Sequence, residues 1–121
     1  MSESVLFREL ESVNDKIVAV ATLNAERSLN ALSLEMVESL YAQLVEWQAR
    51  DDIAMVMLEG AGEKAFCAGG DVVQLYNAAI DAGPGNVAKD VEEFFSKEYR
   101  LDYLIHVYEK PILLWGHGIV M

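Results

Sequence analysis

Hydrophobic residues along the chain concentrate in four short runs that predict β-strands, at residues 5–11, 17–23, 53–59 and 112–115. The first run mixes apolar and charged positions, which is typical of a half-exposed edge strand. The second is apolar on both faces and is expected to be covered on both sides. A polar turn at residues 13–16 separates these two runs and predicts a hairpin.

Three other stretches have apolar residues at helical spacing. The first begins after Ser33, a candidate N-cap, and runs to about residue 49; the second covers 71–79 and the third 87–107. The first helix lies between two predicted strands. The order strand, helix, strand therefore predicts a right-handed parallel crossover.

The last residues, Ile119 to Met121, are apolar and follow a strand and a Gly-His-Gly turn. We expect such a turn to lead into a helix, whereas mature chain ends are usually polar and frayed. The 121 residues are therefore expected to be the front part of a longer catalytic unit. The alternative is a short protein whose end pairs with another chain.

Composition narrows the function classes. Hydrophobic residues make up 53% of the chain and charged residues 24%, which fits one globular domain over residues 1–121. A net charge of −11 argues against nucleic acid and against an anionic membrane surface as partners, because both attract clustered Lys and Arg. With a single cysteine and no signal-peptide pattern at residues 1–11, a cytoplasmic location is expected.

The segment that points to chemistry is Lys64–Asp71, between the third strand and the second helix. Adjacent glycines, Gly69 and Gly70, let a ligand approach bare backbone, and amides at the start of a helix favour negative charge. This pattern predicts a place for an oxygen that gains negative charge during a reaction. The alternative is a turn in which the glycines only supply positive φ.

Four stretches, in this order, resemble the crotonase superfamily, also called the enoyl-CoA hydratase/isomerase family. Leu23–Leu32 resembles the family's LNRP-x-x-x-NAL segment, although Ala25-Glu26 stand in place of Arg-Pro. Lys64–Asp71 resembles its F-x-A-G-x-D loop. Lys110–Trp115 and the following His117-Gly118 resemble the strand and the start of its second oxyanion loop. The resemblance implies an α/β fold: the front part of a crotonase-type (ClpP/crotonase-like) ββα spiral, incomplete at the C-terminus.

The Gly-Gly-Asp form of the loop, Phe66–Asp71, and the later Phe94–Tyr99 segment look like one branch, the 3-hydroxyisobutyryl-CoA hydrolases. That branch implies water attacking an acyl-CoA thioester, with release of CoA and a hydroxy acid, in valine catabolism. It implies no cofactor, because CoA is part of the substrate. It also implies a homo-oligomer, or association with the missing C-terminal part. An enoyl-CoA hydratase or isomerase is the alternative within the family, and a non-catalytic fragment or interaction module is the alternative outside it.

In this resemblance the N–H of Gly70 is one of two catalytic donors to the thioester oxygen. The second donor and the catalytic carboxylates would lie beyond Met121, so the chain alone is expected to be inactive. Ala68 and Asp71 would flank the pantetheine and adenine of CoA, mostly through backbone groups, and Gly69 belongs to the same substrate-binding loop. Asp71 is equally a candidate N-cap.

Three other residues are implied to bind substrate. Glu98 would bind the substrate hydroxyl or orient water; its alternative is an exposed carboxylate paired with Lys97 or Arg100. Arg27 is a candidate for the CoA phosphates, against the alternative of a surface charge. His117 could contact substrate or the groups around it.

The remaining candidates have plainer interpretations. Cys67 has no base near it in the sequence, so a small buried thiol is preferred to a nucleophile. Neither His106 nor His117 has a metal-binding spacing, and no metal site is expected. Trp47 and Trp115 are expected to pack in the core.

Overall fold

Six strands and three α-helices are formed by residues 3–86 and 88–121, the part of the chain that the computed structural model describes. The strands are β1 (Val5–Glu11), β2 (Ile17–Leu23), β3 (Ile53–Gly60), β4 (Ala65–Cys67), β5 (Ile112–Leu114) and β6 (Ile119–Val120), and the helices are α1 (Leu34–Gln48), α2 (Val72–Ala82) and α3 (Lys89–His106). One sheet has the order β1-β2-β3-β5, and β4 pairs with β6 in a second.

The larger sheet confirms the predicted hairpin and parallel crossover. β1 and β2 are antiparallel, with Val5 opposite Leu23, whereas β2, β3 and β5 run parallel to one another. The carboxyl ends of these three parallel strands therefore meet at one edge of the sheet. The segments that follow them, residues 24–32, 61–71 and 115–118, all leave from that edge, which is where open α/β sheets place their ligands.

Helix α1 supplies much of the core against this sheet. It begins as predicted, because the side chain of Ser33 accepts a hydrogen bond from the N–H of Met36 at 3.2 Å. The Phe7 ring of β1 meets the indole of Trp47 edge-on, with ring centroids 5.6 Å apart. The buried residues of α1 are Met36, Val37, Leu40, Leu44 and Trp47.

The other two helices differ in how much they bury. Helix α3 packs against α1 and buries Phe94 and Leu101. Helix α2 buries none of its side chains fully, and it is capped by the carboxylate of Asp71, which accepts from the N–H of Gln74 at 3.0 Å. The predicted start of the third helix at Val87 lies outside the described residues.

Among the described residues, no helix is both long and apolar enough to span a bilayer.

The two-stranded sheet and the position of one tryptophan correct the sequence predictions. Residues 64–71 are not all loop, because β4 forms inside them, and the Gly-His-Gly turn leads into β6 rather than a helix. β4 and β6 are parallel, with Ala65 opposite Ile119. Strands of two or three residues are too short to show a repeating pattern of apolar residues in the sequence. Trp115 is 65% exposed beyond the edge strand β5, so its predicted place in the core is wrong, whereas Trp47 is buried as predicted.

Asn30 is a fully buried polar residue that joins the segment after β2 to the segment after β3. Its Oδ1 accepts from the N–H of Ala25 at 2.9 Å, and its Nδ2 donates to the carbonyls of Ala61 at 3.0 Å and Ala65 at 2.9 Å. Its backbone lies in the left-handed region, φ 56°, which asparagine tolerates better than most residues. This one side chain therefore fixes where β4 begins.

Candidate functional site

The Gly69-Gly70 turn is held by the segment that follows β2. The N–H of Leu32 donates to the carbonyl of Gly69 at 2.8 Å, and the N–H of Asp71 donates to the carbonyl of Leu32 at 2.8 Å. These two bonds make a single parallel bridge between Leu32 and Gly70. In such a bridge the middle residue turns its own N–H and C=O away from the partner strand. The backbone of Gly70 therefore faces outward, on the side opposite Leu32.

Gly70 is the residue of this turn whose amide is left available. The N–H of Ala68 donates to the carbonyl of Leu29 at 3.0 Å, and the N–H of Gly69 donates to Cys67 Sγ at 3.3 Å. Within residues 3–86 and 88–121, the N–H of Gly70 has no hydrogen-bond acceptor. The turn thus presents one outward-facing donor rather than a row of them.

The two glycines are needed for different reasons. Gly69 has φ +96°, a conformation that L side chains rarely adopt, whereas Gly70 lies outside that region. A Cβ built on Gly70 would lie 3.5 Å from Phe94 Cε1 and 3.6 Å from Glu98 Oε1, which is ordinary van der Waals contact. Backbone strain therefore explains the glycine at 69. At 70 the missing side chain leaves room for one methyl group next to Phe94 and Glu98.

Glu98 is half-buried on α3 and lies beside this room. No ion pair or hydrogen bond to its carboxylate is present among the described residues. Lys97 pairs instead with Glu38 at 2.5 Å and Glu93 at 2.8 Å, so the alternative in which Lys97 neutralises Glu98 is wrong. Burial raises the pKa of Glu98, and the negative charge of Asp102, one helical turn further on, raises it again.

We expect Glu98→Gln to raise the thermal stability of the chain at neutral pH. Because burial raises the pKa of Glu98 above its ordinary value of 4.5, the stability that its carboxyl contributes is complete below that value. This stability is lost as the pH rises through the raised pKa. Tm measured from pH 4 to 8 should therefore fall more steeply in the parent chain than in the Glu98→Gln variant. Glu46→Gln, at an exposed position of α1, is the matched control; equal effects of the two substitutions would contradict the prediction.

An apolar cavity of about 420 Å³ lies between the large sheet and α3, and it reveals a carboxylate that the sequence did not single out. Asp102 lines this cavity, and burial raises the pKa of its carboxyl. Cys67 and Lys110 also line it, and the Lys110 ammonium donates to the carbonyls of Arg50 and Ile53. The remaining lining residues are Leu23, Leu32, Leu40, Leu58, Phe66, Leu101, Ile105, Ile112, Leu114 and Met121. The helical spacing of Glu98 and Asp102 was the available signal.

Two other predicted site residues, Arg27 and Asp71, border a separate surface groove. Arg27 is exposed in a short 3-10 helix and borders an open groove of about 720 Å³ together with Asp71, Asp81 and Asp90. Three carboxylates on that groove oppose the attraction of one guanidinium for phosphate. The carboxylate of Asp71 is engaged as the N-cap of α2, which confirms that interpretation. The role of Arg27 toward CoA stays a prediction.

The side chain of His117 makes a hydrogen bond within the fold. Its Nε2 lies 2.8 Å from the carbonyl oxygen of Gly62, and since a carbonyl only accepts, Nε2 carries the proton. Its own carbonyl accepts from the N–H of Phe66 at 2.9 Å, which helps to hold β4. The predicted contact of His117 with substrate stays a prediction. In the part of the chain that is described, no group of three or more His, Cys, Asp or Glu residues could hold a metal ion.

Comparison with known proteins shows the family to which the chain belongs. A model of the family described as enoyl-CoA hydratase/isomerase matches residues 18–121. The chain belongs to the enoyl-CoA hydratase/isomerase family. Its α/β fold agrees with the family: the crystal structure of a carnitinyl-CoA dehydratase from Mycobacterium thermoresistibile superimposes with a TM-score of 0.85 at 37% identity. That match covers 99% of this chain and 32% of the dehydratase.

Two curated relatives show how far the similarity extends. The mitochondrial 3-hydroxyisobutyryl-CoA hydrolase of Danio rerio is 44% identical over 103 residues, covering 84% of this chain and 25% of the hydrolase. The small ribosomal subunit protein mS47 of Neurospora crassa is 37% identical over 119 residues, covering 98% of this chain and 22% of that protein. The chain thus spans about a quarter of the length of the curated relatives that it matches.

Proposed function

We propose that this chain is the part of an acyl-CoA thioester hydrolase that holds the thioester oxygen, with a 3-hydroxyacyl-CoA such as 3-hydroxyisobutyryl-CoA as substrate. The observation that carries the proposal is the outward-facing N–H of Gly70, which has no acceptor among the described residues and borders the room beside Phe94 and Glu98. Similarity to the Danio rerio hydrolase supports the choice of substrate class.

The proposed reaction needs a donor at this place. The oxygen of water attacks the thioester carbonyl, the carbonyl oxygen becomes an oxyanion, and the carbon–sulfur bond then breaks to give a carboxylic acid and the thiol of CoA. Negative charge develops on the carbonyl oxygen, where the Gly70 N–H would donate. Loss of one such donor costs about 10²–10³ in rate.

Glu98 gives the substrate class a physical basis. Its carboxyl has no partner among the described residues, and its raised pKa means that it binds a proton more readily than an ordinary glutamate. A carboxyl that can accept, or donate when protonated, suits a hydroxyl group on an acyl chain. An enoyl chain has no hydroxyl, so only a water molecule could pair with Glu98 in such a complex. In this proposal Glu98 binds the substrate hydroxyl or orients the attacking water.

Activity is proposed for a larger protein than these 121 residues. The matched region is 25% of the Danio rerio hydrolase, and the described turn supplies one donor where the reaction would use two. The chain alone should bind an acyl-CoA without hydrolysing it measurably. Backbone groups of Ala68 and Asp71 would flank CoA, and a homo-oligomer or association with further chain would complete the site.

Two other functions have specific support. Similarity to the carnitinyl-CoA dehydratase at 37% identity favours a hydratase or isomerase reaction on an enoyl-CoA. Similarity to a ribosomal protein over 98% of the chain favours a non-catalytic interaction module. The first differs from our proposal in the reaction, because the acyl chain reacts and the thioester stays intact, and the second in having no need of acyl-CoA.

The test is a titration of the ¹⁵N-labelled chain with 3-hydroxyisobutyryl-CoA, crotonyl-CoA and free CoA, followed by amide resonances and by calorimetry. We expect the Gly70 amide to shift strongly with the hydroxyacyl thioester and weakly with free CoA. A hydrogen bond to Glu98 should make the hydroxyacyl thioester bind about tenfold tighter than crotonyl-CoA. A thiol assay on the samples that contain an acyl-CoA should detect no thiol beyond the single cysteine of the protein.

The possible results separate the three functions. Tighter binding of crotonyl-CoA would favour the hydratase or isomerase. Failure of all three ligands to shift the Gly70 amide would favour the interaction module and contradict our proposal. Thiol release by the purified chain would show that the expected inactivity is wrong.

A further inference from the structure

The turn at Gly69-Gly70 contains a side-chain hydrogen bond that the proposed reaction does not use. Cys67 Sγ accepts from the N–H of Gly69 at 3.3 Å, and the same sulfur lies 3.8 Å from the carbonyl oxygen of Gly69. On the other side of the turn, the N–H of Leu32 holds that carbonyl at 2.8 Å. Both backbone groups of Gly69 are therefore engaged. The Gly69 carbonyl shares a peptide group with the Gly70 N–H, whereas the Gly69 N–H belongs to the preceding peptide group, so the sulfur contacts the peptide groups on both sides of Gly69.

The chemistry of this thiol suits an acceptor better than a nucleophile. Cys67 is buried, and burial raises its pKa, as does the negative charge of Glu98, while the bond from Gly69 lowers it in part. His117 is engaged with the carbonyl of Gly62, so it is not available to Cys67 as a base. The sulfur thus remains an uncharged thiol at neutral pH. An uncharged acceptor can hold the Gly69 amide without adding an anion beside a developing oxyanion.

We propose that Cys67 is a positioning residue: its sulfur contacts the peptide groups before and after Gly69, fixes the backbone angles of Gly69 between them, and so orients the Gly70 amide as the one donor to the thioester oxygen. This inference rests on the proposed function of Gly70. Gly69 has φ +96°, and the bond to sulfur helps to hold it there. Without a hydrogen-bonding group at 67, the peptide group before Gly69 loses its acceptor, and the peptide group that carries the Gly70 N–H keeps only the bond from Leu32 to the Gly69 carbonyl. The direction of the Gly70 donor is then less firmly fixed.

Two substitutions separate this role from simple packing. Cys67→Ser keeps a small side chain with an acceptor, whereas Cys67→Ala keeps a small side chain without one. Both remove the sulfur from the cavity wall, so a packing role predicts similar effects from the two. The measured quantity is the thioester preference, which is the affinity for 3-hydroxyisobutyryl-CoA divided by the affinity for free CoA. Amide hydrogen exchange at Gly69 is measured on the same samples.

We expect Cys67→Ala to lower the thioester preference about fivefold and to speed Gly69 exchange by a similar factor, the value of one neutral hydrogen bond. We expect Cys67→Ser to retain both within about twofold of the parent chain. Equal losses in the two variants, or a thioester preference that survives Cys67→Ala, would overturn the inference and leave the proposed function intact. Absence of any thioester preference in the parent chain would overturn the proposed function itself, and the role of Cys67 with it.

Discussion

Replacing Asn30 with aspartate is expected to remove a large part of the folding stability of the chain. The substitution turns the donor that serves the carbonyls of Ala61 and Ala65 into an acceptor, and it places a carboxylate at a fully buried position. We expect a loss of about 3–5 kcal/mol in the free energy of unfolding, out of the roughly 5–15 kcal/mol typical of a domain. Urea denaturation followed by the fluorescence of the buried Trp47 measures the loss.

The matched control for this prediction is Asn86→Asp. It makes the same change of charge at an exposed asparagine whose side chain donates one hydrogen bond, to the carbonyl of Ala82. We expect it to cost less than about 1 kcal/mol. The deficit of Asn30→Asp should shrink at low pH, where the new carboxyl takes up a proton. Similar losses from the two variants would show that Asn30 does not organise the turn.

Replacing Gly70 with alanine is expected to abolish the thioester preference while leaving the fold as stable as before. The new methyl group meets Phe94 Cε1 and Glu98 Oε1 at ordinary contact distances, and the backbone there does not need glycine. Reduced freedom of the unfolded chain should even add about 0.4–1 kcal/mol of stability. The methyl group would, however, fill the room that the thioester is proposed to occupy. Calorimetric titration and urea denaturation of the same preparation measure the two effects separately.

Gly69→Ala provides the opposite pattern at the neighbouring position. With φ +96° an alanine is strained, and we expect a loss of about 1–3 kcal/mol in the free energy of unfolding. Two adjacent glycine-to-alanine changes should therefore move stability in opposite directions. An unstable Gly70→Ala variant would mean that this glycine serves the backbone alone. A stable variant with its thioester preference intact would remove the Gly70 amide from the proposed site.

The sequence predicted the elements whose patterns are long enough to repeat. The hairpin, the crossover and the Ser33 cap each depend on seven or more residues in regular spacing, or on a local side-chain rule, and the structure confirms them. The turn at Gly69 and Gly70 between a strand and a helix was also predictable, because adjacent glycines favour tight turns. Their separate roles required the φ angle and the contacts.

What escaped prediction depends on contacts between distant segments. Asn30 looked like one polar residue in a turn, and only the approach of residues 61–65 shows that it satisfies two carbonyls. β4 and β6 are defined by each other rather than by a local pattern. Lys97 seemed a fitting partner for Glu98, yet it turns to Glu38 across the α1–α3 contact, because adjacent residues on a helix point in different directions.

The outer side of β5 has a consequence for handling the protein. This edge strand has no further neighbour among the described residues, and Leu113, Leu114 and Trp115 along it are between 47% and 65% exposed. Bare strand edges with bulky apolar side chains invite strand addition from other molecules. The net charge of −11 is the force that keeps copies apart, and dissolved salt screens it. We therefore expect added salt to favour edge-to-edge association of the purified chain.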